Sequence, residues 1–471
     1  MQKLNNKNFY RLMTILIFII GLLIGSCGSY LLFFAKQPKE QVDVNVFNEI
    51  SSLITHHWID TTESKESIDS RMISGMINGL GDPHTTYMSA NEVNDFMESI
   101  NGDYQGIGVA FSIVEEGAFV TRVYRNTPAA ASGIMIGDII TKANQTSLKG
   151  KNSDQIKESI RGKEKTYVNL TILRGHKTLK MKIKRAALDT DVFYEIRKKG
   201  DNSFGYLEIT TFGINTGNQV EEALKLFTEK NIKTIVIDLR NNGGGYLMAA
   251  NEILNYFCKE GEVLFSLTDG DGNTVTYKDQ TDTQYSFDRG YILINGNTAS
   301  ASEMVGAALS ELYNYQLIGT RSYGKGTAQT QATLSDSSVI KYTYAKWYTP
   351  KGNNVNGVGL KPNIEVAPND ITSLAIGSVD KNYTYDSVDD NVAVMQKMLM
   401  LLGYKVDRTD GYFSKKTEAA LKAFQEDHSL TVDGIYGKYS FQHLLAEVSV
   451  YLSKQDHDAQ YQTVLNLIDK G

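Results

Sequence analysis

Residues 291–313 read YILINGNTASASEMVGAALSELY. An apolar run of strand length, Tyr291 to Asn295, meets the turn Gly296-Asn297, and Thr298-Ala299-Ser300-Ala301-Ser302-Glu303 then opens a helical stretch. The same order occurs upstream. TIVIDL at 234–239 runs into Arg240-Asn241-Asn242-Gly243-Gly244-Gly245, and a helical YLMAANEILNYF follows. In both units the chemically loaded residues stand between strand and helix. There, free backbone N–H groups and the helix dipole favour negative charge.

Ser300 therefore has a nucleophile's setting, because a carbonyl attacked beside a helix N-terminus would have its developing oxyanion stabilised. Serine is also an ordinary N-cap, and Ser302 with Glu303 fits that role alone. The three glycines suit a bound anion, but no Gly-Lys-Ser or Gly-Lys-Thr follows, which argues against a nucleotide loop. No histidine lies between His176 and His428, so this region holds no internal Ser-His-Asp triad. A lysine whose pKa is lowered by desolvation could serve as base instead. Tyr323-Gly324-Lys325-Gly326-Thr327-Ala328-Gln329 offers one, flanked by glycines that permit close approach.

Taken together, Asp238-Leu239-Arg240-Asn241-Asn242 with its glycines, Thr298 to Glu303, and Gly324-Lys325-Gly326 with Gln329 resemble the carboxyl-terminal processing (tail-specific) proteases. Lys325 follows Ser300 at the family's spacing, which selects Ser300 over Ser302. Gly81-Asp82-Pro83 stands in the family's order as well, and Gly243 departs from it, since proline is usual there. The resemblance covers most of residues 40–370. It implies a mixed α/β, crotonase-like core of repeated ββα units over 187–370. It also implies Ser300 as nucleophile, Lys325 as base, the N–H groups of Ala301 and Gly244 as oxyanion hole, and Gln329 as the group that orients the lysine amine. No metal or other cofactor is implied.

Residues 103–185 resemble a PDZ domain through Gly106-Ile107-Gly108, Thr127-Pro128-Ala129, Ser132-Gly133-Ile134 and Gly137-Asp138-Ile139-Ile140, although Gln145 stands where a turn glycine is usual. The resemblance implies that a substrate tail adds as a strand beside Val109 to Ile113, its carboxylate held by the loop of Gly106, Ile107 and Gly108. Inserted beside the active site, this domain would act as a gate. Residues 389–450 carry two Asp-Gly turns, Asp410-Gly411 and Asp433-Gly434, each followed by a helical stretch, with a further helix before the first. They resemble the three-helix peptidoglycan-binding domain, with Tyr412 and Phe413 as candidate glycan contacts. A linker (371–388) precedes it and a helical tail (451–471) follows.

At the other end, residues 12–34 read LMTILIFIIGLLIGSCGSYLLFF, 23 residues without a charge. That is long enough to cross a bilayer. Lys3, Lys7 and Arg11 in the arm 1–11 place the N-terminus inside and the bulk outside, facing the cell wall. Ile24-Gly25-Ser26-Cys27 also resembles a lipoprotein cleavage box, which would instead lipidate Cys27. Residues 43–100 read helical up to Gly81-Asp82-Pro83-His84, and His56, His57 and His84 are surface or cap residues rather than a metal site. A net charge of −6 with scattered Lys and Arg disfavours a nucleic-acid partner. Two cysteines, Cys27 and Cys258, form no disulfide framework.

The expected protein is thus a membrane-tethered serine endopeptidase acting on unstructured C-terminal tails outside the cytoplasm. A catalytically silent wall-anchored peptide scaffold and a peptidoglycan hydrolase are its rivals. The helical region and the tail after Leu452 are candidate homodimer surfaces.

Overall fold

The computed structural model describes residues 43–60, 67–90, 92–93, 104–124, 126–174, 177–188, 191–282, 284–367, 379, 381–452 and 454–470. The apolar stretch 12–34, with Cys27, lies outside them. Among the described residues no helix is long and apolar enough to cross a membrane. The chain divides into two compact units, 1–96 with 328–345, and 97–327 with 346–471.

The first unit is not purely helical, as its sequence pattern suggested. Helices Val44–His57 and Ile68–Asn78 are followed by a short strand, Thr86–Met88. That strand pairs antiparallel with Val339–Lys341, a segment far along the chain that no local pattern could have announced. Asp82 sets the turn between helix and strand: its Oδ1 accepts the His84 N–H at 3.0 Å and its Oδ2 the Thr85 hydroxyl at 2.6 Å.

Among its described residues the second unit has separate cores for its two larger sheets and for a set of C-terminal helices. Residues 109–184 form an antiparallel sheet in the order Val109–Val114, Gly117–Val123, Ile139–Ala143, Tyr167–Arg174, Lys177–Lys184, with Val109–Val114 at its edge. Its two ends are tied by pairing of Tyr104–Gly106 with Ala186–Leu188. Alternate residues of these strands, among them Val120, Ile140, Val168, Leu170 and Ile172, enclose Ile156 of the helix Ser153–Ile160.

The protease sheet follows, ordered Val192–Lys199, Asn202–Ile209, Thr234–Asp238, Arg289–Ile294, Gln316–Gly319, Ile364–Glu365. The first pair is antiparallel and the remaining pairs are parallel. Thr234–Asp238 is buried at every position, as a central parallel strand between two covered faces must be. The tail helix Ala459–Asp469 covers one face: Tyr461, Val464 and Ile468 pack on Phe204, Val236, Leu293 and Ile318. Its apolar side is thus taken by the chain's own sheet.

The third core belongs to helices Asp390–Leu401, Lys415–Asp427 and Lys438–Leu452. Two buried glutamines explain its repeat. Gln396 Oε1 accepts the N–H of Gly411 at 3.1 Å, and Gln425 Oε1 that of Gly434 at 2.9 Å, so each Asp-Gly turn is sewn to the helix before it. Both glycines have positive φ, 92° and 73°.

Candidate active site

Ser300 sits between the buried strand Arg289–Ile294 and the helix Ala301–Tyr313. The turn is pinned from below: the Thr298 hydroxyl donates to the Leu239 carbonyl at 2.8 Å, and the Asn295 N–H donates to Thr298 Oγ1 at 2.9 Å. Ser300 itself has φ 58° and ψ −120°, and is half-buried. A serine at positive φ stores about 1–3 kcal/mol of strain, which persists only when the surroundings impose it. Ser302 is different in kind. It lies inside the helix, fully buried, its hydroxyl donating to the Asn242 carbonyl at 3.0 Å.

The glycine loop presses against this turn. A methyl group on Gly244 would lie 2.8 Å from Ser300 Cβ and 2.9 Å from the Ala299 carbonyl oxygen; one on Gly245 would lie 2.3 Å from the Phe212 carbonyl oxygen. Gly244 (φ 99°) and Gly245 (φ 148°) thus answer to close approach, whereas Gly243 faces open space. Buried Asn242 holds the loop, its amide donating to the Ile209 carbonyl at 2.7 Å. Its Oδ1 accepts the Gly244 N–H at 2.8 Å. In this structure the Gly244 N–H, expected in the oxyanion hole, is engaged by Asn242. Ala301 is the first residue of the helix, where a backbone N–H has no partner within the helix.

Lys325 reaches the same place through Glu303. Glu303 Oε2 accepts the backbone N–H of Ser300 and that of Lys325, each at 2.8 Å. The two backbone nitrogens therefore lie within twice that distance of each other. Fully buried Trp347 donates its indole N–H to the Lys325 carbonyl at 2.7 Å. The glycines beside Lys325 are required: a methyl on Gly324 would lie 2.7 Å from the Gly359 nitrogen, and one on Gly326 2.4 Å from that of Asn356. Lys325 is half-buried. Gln329 belongs to the first unit. Its amide donates to the Thr343 hydroxyl at 3.1 Å, and the Thr343 N–H donates to the Thr85 hydroxyl at 3.2 Å. Gly81-Asp82-Pro83 thus supports the Gln329 strand through Asp82 and Thr85, a role its sequence did not disclose.

The strand that carries the glycine loop ends in a buried ion network. Burial pushes the Asp238 carboxyl up, but the charge and hydrogen bonds of Arg240 outweigh it, and the net shift is downward. Arg240 Nη2 donates to Asp238 Oδ2 at 2.6 Å, and Nη1 donates to both carboxylate oxygens of Asp458 at 2.8 and 2.7 Å. Among the described residues no cluster of His, Cys, Asp and Glu could hold a metal ion.

Comparison with known proteins fits this arrangement. The family description "Peptidase family S41" matches residues 203–366. The "Probable CtpA-like serine protease" of Staphylococcus epidermidis is 35% identical over 406 residues, 86% of this chain and 81% of that protein. The chain belongs to peptidase family S41. The Staphylococcus aureus protein of the same description is 31% identical over 438 residues, 91% of this chain and 86% of that one. A "Putative S41 protease from Bacteroides fragilis" shares the fold at TM-score 0.50 and 17% identity, over 72% of this chain and 94% of that one. "PDZ domain" matches residues 105–184 and "Putative peptidoglycan binding domain" residues 388–444. The S41 chain is a serine peptidase of the CtpA-like kind that carries both accessory domains.

In this S41 protein a cleft of about 1660 Å³ runs along the PDZ edge, past Gly106, Ile107, Gly108 and Val109, to Arg240, Asn241 and Asn297. Ser300 and Lys325 are not among its lining residues, so its size marks room for a ligand beside the PDZ edge rather than the site of chemistry. Gly108 (φ 88°) is forced by Thr127, whose side chain a methyl would meet at 2.3 Å. Ile107 is a core residue, its carbonyl accepting the Ala129 N–H at 2.7 Å.

The glycan candidates separate. Phe413 is fully buried in the three-helix core, which corrects its assignment as a glycan contact: an apolar ring beside a turn reads alike as core or as platform until burial decides. Tyr412 is half-buried, with Arg408 stacked 4.7 Å over its ring and its hydroxyl donating to Asp386 at 3.0 Å.

Proposed function

We propose that this S41 peptidase is a membrane-tethered endopeptidase that cleaves unstructured C-terminal tails by a Ser300–Lys325 dyad. The observation that carries the dyad is the strained Ser300 turn at a helix N-terminus, joined to the Lys325 backbone through one carboxylate. Neutral Lys325 Nζ takes the Ser300 Oγ proton as Oγ attacks the peptide carbonyl carbon. The Ala301 N–H stabilises the oxyanion. Collapse breaks the C–N bond, the leaving amine takes the proton from Lys325, and an acyl-enzyme remains. Water then attacks the ester, passing a proton to Lys325, and Ser300 Oγ leaves with one. Gln329 orients the lysine amine.

Tail selection falls to the PDZ domain, whose strand Val109–Val114 is an edge of its sheet among the described residues and borders the large cleft, where a tail could add as a further strand. The C-terminal domain holds peptidoglycan, and the apolar stretch 12–34 tethers the chain with its bulk outside. Cleavage of casein and labelling by a fluorophosphonate test the dyad. Wild type should do both, and Ser300→Ala neither. Lys325→Arg should be as inactive as Ser300→Ala, since a guanidinium does not deprotonate at working pH. Turnover by either variant would refute the dyad, and an inert wild type would leave the peptide-holding scaffold.

A further inference from the structure

Glu303 makes more contacts than a helix cap requires. A side chain at the third helical position commonly reaches back to the N-cap N–H, and Glu303 does so with Ser300. Its other donors come from a remote loop. Besides the Lys325 N–H on Oε2, the Ser322 hydroxyl donates to Oε1 at 2.5 Å and the Gly324 N–H donates to it at 2.8 Å. Ser322 is itself fixed, its hydroxyl oxygen accepting the Leu360 N–H at 2.6 Å. Glu303 has no exposed surface.

A carboxylate offers acceptors alone, and its burial is tolerated only when those acceptors are filled. Here four donors converge on its two oxygens. An amide in the same place would turn an NH2 toward two of those donors, so the site demands a carboxylate and not merely a polar side chain of that shape. The Ser300 turn is strained, and released from its acceptor it would relax and swing Oγ. The Lys325 loop is held from its other side by Trp347. Glu303 bonds to the backbone of both.

We propose that Glu303 is the positioning residue of this peptidase: its buried carboxylate fixes the Ser300 turn and the Lys325 loop in one register, and the pair is competent only while that bridge stands. The role presupposes the Ser300–Lys325 assignment, so S300A and K325A are measured alongside. In E303Q, kcat should fall about a hundredfold or more with KM within about threefold, since the loss is of alignment rather than of substrate binding. A merely structural glutamate would lower the melting temperature and leave kcat per folded molecule alone. The deciding readout is fluorophosphonate labelling against pH. In wild type the rate should rise to a plateau as the lysine loses its proton; in E303Q the plateau should vanish, leaving a slow rate that climbs with hydroxide.

E303D keeps the charge but shortens the reach by one methylene, and should lose the plateau too. It carries the test if E303Q does not fold. Folded E303Q or E303D with wild-type kcat and labelling profile overturns the proposal while S300A and K325A stay inactive. Activity in S300A or K325A overturns the dyad instead. If neither Glu303 variant folds, the carboxylate is a determinant of folding and the positioning role is refuted.

Discussion

Three consecutive glycines make the sharpest test of the site, because the structure assigns them different roles. At Gly244 a methyl group would come to 2.8 Å from Ser300 Cβ, 2.9 Å from the Ala299 oxygen and 3.1 Å from the Ala301 nitrogen. Relaxed carbon contacts lie at about 3.5–4.0 Å, and these neighbours are backbone or attached to it, so they cannot rotate away. Overpacking of this kind costs about 1–3 kcal/mol, and a side chain at φ 99° adds about 1–2 kcal/mol. Gly244→Ala should therefore destabilise the protease core by about 2–5 kcal/mol, a drop in melting temperature on the order of 10 °C.

Because the strain falls on the turn of Ser300, the proposed nucleophile, turnover should fall further than stability does. Displacing Ser300 by a fraction of an ångström is expected to reduce kcat about tenfold to a hundredfold at temperatures where the variant is folded. At Gly243 the added methyl meets nothing within 4 Å and the backbone carries no positive φ, so Gly243→Ala should stay within about 0.5 kcal/mol of wild type and keep its kcat. The two variants are compared by thermal melts followed by circular dichroism, and by initial rates on a quenched fluorescent peptide. A Gly244→Ala protein that melts within about 2 °C of wild type and turns over normally would refute the close approach of loop and Ser300.

Three further outcomes follow. Glu116, in the turn between the PDZ strands Val109–Val114 and Gly117–Val123, joins the helix Lys438–Leu452, accepting the Tyr439 hydroxyl and meeting His443 Nε2 at 3.0 Å. Burial pushes its carboxyl up, but these partners outweigh that and lower it from 4.5 to about 2. The contact therefore stabilises fully above pH 4.5 and fades as pH falls toward 2. Hydrogen exchange should show Lys438–Leu452 losing protection over that window in wild type, with Glu116→Gln already weakened at neutral pH; identical exchange in both would count against the contact. Phe413→Ala should cost about 3–5 kcal/mol and unfold the three-helix domain, whereas Tyr412→Ala should keep the fold and weaken sedimentation with sacculi. A folded Phe413→Ala domain would contradict the core assignment. A chain ended before Asp458 loses the burial of Tyr461, Val464 and Ile468, about 1.5–3 kcal/mol each, and one of the two carboxylates on Arg240. It should yield little soluble protease, and a normal melt would show that the tail is dispensable.

The legible parts of the fold were those written in consecutive residues. The strand-turn-helix units around Asn242 and Ser300, the edge strand from Val109 and the paired Asp-Gly turns all declare themselves through local spacing and breakers. What stayed hidden is long-range. Nothing local in Thr86–Met88 reveals a partner at Val339–Lys341, and nothing in the tail shows that Tyr461 lies edge-on to Tyr206 with ring centroids 5.8 Å apart.

The site divides along the same line. Ser300 and Lys325 stand out because they fall in motifs whose order and spacing resemble those of the processing proteases. Glu303 and Asn242 do not, because a helix-cap glutamate and a loop asparagine look the same in sequence whether solvated or buried among donors. Phe413 shows the converse, since a turn aromatic at the surface and one in the core are spelled alike. The Gly244 N–H illustrates the same limit: glycine permits a backbone donor to approach a ligand, but the side chain two residues before it also reaches that donor. Asn242 Oδ1 lies 2.8 Å from it, and the same glycine approaches Ser300 closely, a pairing of contacts that only the folded loop displays.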